Sequence, residues 1–247
     1  MFAEGRTAVV TGAGGSIGRE ISLQLAAGGV RVMLVDLDEA KAQETAALIK
    51  ERNVDCLVAV RDISKKDECE AIVKTAVDTW GRLDIIVNLA GIMRNASIKK
   101  ITEEDWDATQ KINLKGPMLL TQAAYDVMKA QHYGRIINIA SPAYHGAAGQ
   151  GAYAASKAGL VSYTMVTALE MARHGVTANV VCPGMVRTAL TANVPEDFME
   201  KITKSQPMGR LCLPSDVANC VVFFASDEAE YVSGQILTTS GGASVAF

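Results

Sequence analysis

Apolar residues along the chain gather into seven short runs rich in β-branched side chains: TAVVT (7–11), RVMLVD (31–36), CLVAV (56–60), DIIVNLA (84–90), RIINIAS (135–141), TANVVCP (177–183) and QILTT (235–239). Runs that stay apolar at successive positions, instead of alternating, predict strands buried on both faces. Between them lie segments of helical period and length, among them ISLQLAAGG, DEAKAQETAALIKE, KDECEAIVKTAVDTW and KAGLVSYTMVTALEMARHG. Strand and helix therefore alternate. Parallel strands joined by helical crossovers need helices on both faces of the sheet, which predicts a doubly wound α/β fold with seven parallel strands. No internal linker divides the 247 residues, so one domain is expected over 1–247. The one long stretch without strand character, 189–213, mixes helical and loop signals and is a candidate lid.

In such sheets ligands bind beyond the carboxyl ends of the strands. The residues found there are TGAGGSIG after the first run, Asp36 after the second, Asp62 after the third, Asn88 to Gly91 after the fourth, Ser141 after the fifth and Pro183 to Thr188 after the sixth. The glycine loop is not a P-loop, because no lysine lies between Arg6 and Lys41, and the spacing G-x-G-x-x-G fails at Ile17. Its context carries more. A helix starting near Ser16 aims its free N–H groups and positive dipole end at the loop, where a pyrophosphate is the expected anion. A tight strand-to-helix turn alone would use the same glycines. Asp36 shifts the balance: a carboxylate ending the second strand, roughly twenty residues on, accepts both hydroxyls of an adenosine ribose and repels a 2′-phosphate. No arginine or lysine stands at 37 or 15, so NAD is favoured over NADP, and Asp38 is the better placed helix cap.

Charge and composition narrow the partners. With 24 basic against 27 acidic residues, a net charge of −3 and a pI near 5.7, the chain has no electrostatic footprint for nucleic acid or anionic lipid. Five cysteines without a C-x-x-C pair suit reduced thiols in a cytoplasmic compartment better than a disulfide framework or a metal site. No signal-like N-terminus and no 18-residue apolar stretch is present, so no membrane anchor is expected.

Candidate chemistry centres on YAASK, where Tyr153 and Lys157 are four residues apart and share a helix face. An ammonium beside a phenol favours phenolate and lowers the tyrosine pKa, so that the phenol exchanges a proton with an alcohol or carbonyl oxygen. An ordinary helical pair has the same spacing. Ser141, twelve residues earlier at the same sheet edge, can donate to a substrate oxygen, and Asn113 in KINLKG and Asn88 in NLAG are polar groups set in apolar runs. His145 is a relay candidate or a solvated loop histidine; Cys182, ending a buried strand, reads as a small apolar filler. Ser141 and His145 do not make a hydrolase, because no G-x-S-x-G elbow is present. A dinucleotide-binding sensor without turnover has no need of an acid/base tyrosine.

Taken in order, TGAGGSIG, Asp36, Asp62, NLAG, Asn113, Ser141, YAASK and PGMVRT resemble the short-chain dehydrogenase/reductase family over essentially the whole chain. The resemblance implies a Rossmann fold, NAD as cofactor, and a tetrad of Asn113, Ser141, Tyr153 and Lys157. Tyr153 would be the acid/base, Ser141 would orient the carbonyl, Lys157 would tune the phenol and hold the nicotinamide ribose, and Asn113 would position a relay water. Gly12, Gly14, Gly15, Ser16, Ile17 and Gly18 would surround the pyrophosphate, Asp36 and Leu37 the adenosine ribose, and Asp62 and Ile63 the adenine. Asn88, Ala90 and Gly91 would pack along the adenosine, and Pro183, Gly184, Val186 and Thr188 at the nicotinamide.

The substrate side would draw on Met93, Arg94, Asn95, Pro142, Tyr144, His145, Gln150 and Met185, with Leu190, Val194, Phe198 and Met199 from the lid. That composition favours a medium-sized, largely apolar secondary alcohol and its ketone. A 3-oxoacyl thioester reductase is the alternative, with Arg173 and Lys129 as carrier contacts, and a hydroxyacyl-CoA or hydroxysteroid substrate stays open. A homotetramer is implied through the helices around 114–131 and 152–174, where YTMVTALEMA offers apolar surface. Two departures stand out. Ser16 takes the place of the second of three expected loop glycines, and Tyr144 replaces a glycine in a serine-to-tyrosine spacing one residue short.

Overall fold

The computed structural model describes residues 2–188 and 195–244. All seven expected strands form: β1 (Thr7–Thr11), β2 (Arg31–Asp36), β3 (Cys56–Val60), β4 (Ile85–Asn88), β5 (Gly134–Ile139), β6 (Val176–Pro183) and β7 (Ile236–Thr239). They pair in parallel throughout, in the order β3-β2-β1-β4-β5-β6-β7. The helices are α1 (Ser16–Ala27), α2 (Glu39–Lys50), α3 (Lys66–Trp80), α4 (Glu103–Gln110), α5 (Gly116–Gln131), α6 (Gly151–Met171), α7 (Glu196–Ser205) and α8 (Pro214–Ala225).

The strands show why their sequences read as continuous apolar runs. Ala8 and Val10 of β1 and Ile85 and Val87 of β4 face a core with α1, α2 and α8; Val9 and Ile86 face the opposite core with α3, α5 and α6. Each strand is thus apolar on both sides, as a covered parallel sheet requires. The chain leaves β1 toward β2 and β3 and returns through β4 on the other side, so a crevice opens above the carboxyl ends of β1 and β4. The opposite edge is closed by ions. Asp84, fully buried, accepts from Thr7 N at 2.9 Å and from both Arg82 (2.7 and 2.8 Å) and Arg6 (3.2 Å).

One element departs from its expected start. The helix read from 114 begins as a π-turn over Lys111–Lys115 before α5 proper. Pro117 explains the change: it has no N–H for the Asn113 carbonyl four residues back, so the α-helical ladder cannot close at Asn113.

Candidate functional site

The glycine loop turns at Gly12, whose φ of +70° and whose approach to Ala90, 3.1 Å from the place a Cβ would occupy, exclude a side chain. Gly18 is needed for packing, because a Cβ there would lie 2.2 Å from Gly12 O. Thr11 ties the loop to its neighbour: its hydroxyl donates to Val87 O and accepts from Leu89 N and Ala90 N, which fixes the NLAG turn against β1. Helix α1 then starts at Ser16 with Gly15 as N-cap, no side-chain cap and no acidic residue in its first turn. Its leading N–H groups and dipole therefore lack an internal anion, and they fit a pyrophosphate. Ser16 is exposed at this mouth and does not touch the close helix packing at Gly18.

Asp36 ends β2 beside the loop. Its Oδ2 accepts from Gly14 N at 2.8 Å and its Oδ1 from Asp38 N at 3.0 Å, which aims the carboxylate over the crevice. Asp38, not Asp36, caps α2 by accepting from Lys41 N. Leu37 is exposed beside it. Asp62 folds back on Ser64 N at 3.0 Å, and hydrogen bonding to Ser64 holds its carboxyl below the usual carboxylate range against the cost of burial. Ile63 is buried under Gly116.

Asn88 lies beneath the crevice floor and does not line it. Its Nδ2 donates to Asn138 Oδ1 at 2.8 Å, and Asn138 Nδ2 donates to Thr164 Oγ1 at 2.8 Å, so a buried polar chain links β4, β5 and α6. Gly91 faces both Asn113 Oδ1 and Lys157 Nζ, 3.0 and 3.7 Å from its would-be Cβ.

Ser141, Tyr153 and Lys157 converge at the carboxyl edge of β5. Ser141 caps a 3₁₀ turn over Pro142–His145, its Oγ accepting from Ala143 N at 3.2 Å. That leaves its hydroxyl proton free on the side of Tyr153, whose phenol Ser141 pulls down. Lys157 is 4% exposed; its Nζ donates to Ile139 O at 2.7 Å and stands 5.6 Å from the Tyr153 ring centre. Burial lowers the ammonium to about 8. Burial pushes the Tyr153 phenol up, with the Ser141 bond pulling the other way. The downward shift expected from Lys157 is not found here: burial raises the phenol, only Ser141 lowers it, and the ammonium is turned to Ile139 O.

Asn113 is fully buried, and its carboxamide is spent on protein. Its Oδ1 accepts from Ile92 N and its Nδ2 donates to Ile92 O, both at 2.8 Å, with a further bond to Ser156 Oγ at 3.1 Å. Ser156, which passes its own proton to Tyr153 O at 2.7 Å, is a positioning residue the sequence reading missed. Its signal was present inside YAASK, on the helix face opposite solvent.

Around this group, Tyr144 packs over Ala140, Val161, Val180 and Cys182 and stacks on His145 with ring centres 4.0 Å apart. The ring fills the place of the expected glycine; His145 itself is exposed. Cys182 is a buried filler, its thiol pushed up to about 12 by burial. Met93 and Met185 are half-buried, and Gln150 pairs with Ala96, which brings the 95–97 loop to the start of α6. Arg94 is exposed and bound to Asp105 at 2.7 Å. Val186 is buried and bridges Cys212, while Gly184 packs on Ser240. In α7, Met199 is buried and Phe198 half-exposed; Leu190 and Val194 lie outside the described residues. Among the described residues no group of three or more metal-ligating side chains comes together, and no helix is long and apolar enough to cross a membrane.

Comparison with known proteins agrees with this geometry. The profile of a family described as Enoyl-(Acyl carrier protein) reductase matches residues 12–244. The (2S)-[(R)-hydroxy(phenyl)methyl]succinyl-CoA dehydrogenase subunit BbsD of Thauera aromatica is 39% identical over 245 residues, 99% of each chain. The 3-oxoacyl-[acyl-carrier-protein] reductase FabG of Thermotoga maritima is 36% identical over 248 residues, covering 98% of this chain and 99% of its own. The crystal structure of levodione reductase superposes over the whole of both chains with a TM-score of 0.96 at 29% identity. With its sheet order, its glycine loop and its Ser141–Tyr153–Lys157 edge, the chain belongs to the short-chain dehydrogenase/reductase family.

Proposed function

We propose that this oxidoreductase is a single-domain NAD-dependent dehydrogenase that interconverts a secondary alcohol and its ketone, with Tyr153 as acid/base. The observation that carries the reading is the meeting at one strand edge of Ser141, which caps the turn after β5, with Tyr153, whose ring centre lies 5.6 Å from the buried Lys157 ammonium. When bound, the dinucleotide supplies the hydride acceptor or donor at nicotinamide C4. The residues supply the rest. Ser141, its lone pair held by Ala143 N, donates to the substrate oxygen. In reduction the protonated Tyr153 phenol gives its proton to the carbonyl oxygen; in oxidation it takes the alcohol proton once ionised to phenolate, a form that burial opposes and higher pH favours. Lys157 adds positive charge beside the phenol while protonated, and Asn113 holds the Gly91–Ile92 turn beside Lys157.

NAD is favoured over NADP by Asp36, whose carboxylate is fixed at the end of β2 with no basic residue at 37 or 15. The half-buried Met93, Tyr144 and Met185 favour an apolar substrate. A homotetramer is supported by Met165, Val166 and Leu169 on α6, the last 81% exposed.

An acyl thioester is the second reading, favoured by the names of the relatives and by the basic side chains Lys129 and Arg173, with His174 beside them. Burial first, then Arg173, Lys129 and His132, lower the His174 pKa. That cluster lies at the far end of α6 from Tyr153, a helix of 21 residues or about 30 Å.

The deciding experiment follows NADH formation with NAD across secondary alcohols, hydroxyacyl-CoA esters and hydroxysteroids. The proposal expects the highest kcat/KM among free secondary alcohols. A far higher value for a thioester, lost in Arg173→Glu, would overturn it.

A further inference from the structure

Tyr153 stands in the first turn of α6, and that turn has no side-chain cap of its own. Gln150 at the N-cap gives no side-chain bond, the first turn holds no acidic residue, and the chain arrives through Gly146 and Gly149, both at positive φ. A helix start of this kind frays, because its leading N–H groups have no partner within the helix. Its carbonyls, however, are held by α4 and the π-turn that follows. Gln110, the last residue of α4, donates from Nε2 to Ala152 O at 2.9 Å, across 42 residues of sequence. Asn113 donates from Nδ2 to Ser156 Oγ at 3.1 Å, and Ser156 donates to Tyr153 O at 2.7 Å. Two successive carbonyls of one turn thus receive a donor besides their helical ones, which the two lone pairs of a carbonyl allow. Asn113, Ala152 and Ser156 are fully buried, so water does not compete for the bonds they make.

We propose that Gln110 and Ser156 are positioning residues: together they stand in for the missing cap of α6 and fix the turn from which Tyr153 reaches the substrate oxygen. The proposal rests on the dehydrogenase reading for the task of the phenol, not for the brace itself. A serine bonded one turn back along its own helix is common. This one is also tied, through Asn113, to the turn at Ile92 that lies beside Gly91 and Lys157. Gln110 is a second, separate anchor one carbonyl earlier. A turn held at both carbonyls cannot drift, and a displacement of about 1 Å at a reacting group costs roughly a hundredfold in rate.

The test compares the full-length protein with Gln110→Met, which keeps the length and gives up the donor, with Ser156→Ala, and with the two combined. Amide exchange over 151–157 is read in each, alongside kcat, KM and the solvent isotope effect for the best alcohol and the dissociation constant of NAD. Each single variant should speed exchange over 151–157 and lower kcat by about ten- to a hundredfold, with KM and NAD affinity within a few-fold of the parent. The solvent isotope effect on kcat should rise as the proton step slows; a mere loss of folded protein lowers kcat and leaves that effect where it was. The combined variant should lose less than the product of the single losses, because both act on one turn. Exchange over 151–157 that ignores Gln110→Met overturns the brace. Faster exchange with kcat unaltered, or a fall in kcat without a rise in the isotope effect, overturns the positioning role. Absence of alcohol turnover by the parent would instead count against the dehydrogenase reading, and exchange over 151–157 would still decide the brace.

Discussion

The side-chain amide of Asn113 grips the backbone of Ile92 on both sides, accepting from its N–H and donating to its C=O, each at 2.8 Å. One buried carboxamide thereby replaces a missing strand neighbour and fixes the turn that carries Gly91 toward Lys157. Asn113→Ala leaves two backbone groups without partners, which costs about 2–3 kcal/mol. In a chain of 247 residues this is a fall in Tm of roughly 4–12 °C. Calorimetry checks it, and an unchanged Tm would contradict the clamp.

Asp36 holds Gly14 N at the end of β2, where the proposed NAD would carry its adenosine ribose. Replacing it with alanine removes a repulsion worth about 1–4 kcal/mol against a second charge roughly 4 Å away. Asp36→Ala should weaken NAD binding and shift the NAD-to-NADP affinity ratio toward NADP by about tenfold or more. Equilibrium titration with both dinucleotides measures this. Tighter binding of NADP than of NAD by the unmodified protein would sink the assignment.

Tyr153→Phe deletes the proton carrier and keeps the ring. Turnover should fall by a factor of about 10² to 10⁴, the usual contribution of a positioned acid/base, with the NAD dissociation constant within a few-fold of the original. Near-full activity would dismiss Tyr153 from its role.

Lys157 carries a pH signature. Burial lowers its pKa from 10.5 to about 8, so between those values the unfolded chain binds more protons than the folded one. Stability of the unmodified protein should accordingly rise with pH from 8 to 10.5, and below 8 the buried charge costs about 3 kcal/mol. Lys157→Met, which keeps the volume and gives up the bond to Ile139 O, should be more stable than the parent near neutrality, by about 1–2 kcal/mol after that loss. The advantage should shrink as pH climbs through the same window, and the variant should lose turnover. Parallel stability curves for the two proteins would refute the cause given for the shift.

Leu169 is the most exposed large side chain on α6. Leu169→Glu places a charge in the proposed helix-to-helix contact and should reduce the assembly by at least one step in light scattering, with the fold intact by circular dichroism. A monomer before mutation would remove the basis for the interface.

The seven strands, the parallel sheet and the crevice edge were legible in the sequence because burial on both faces leaves uninterrupted apolar runs, and topology puts whatever follows them on one edge. Gly12, Gly18, Asp36, Ser141, Tyr153 and Lys157 were legible for the same local reasons: a tight turn, a strand end, a helix spacing. What the sequence could not determine depends on contacts between distant segments. Whether Asn113 faces water or Ile92, and whether Asn88 lines the crevice or bonds to Asn138, is decided by packing across elements separated by 21 and 50 residues. The direction of the Tyr153 shift is of the same kind: spacing brings an ammonium near, but only the packed structure sets how much water the phenol loses, and that loss raises it.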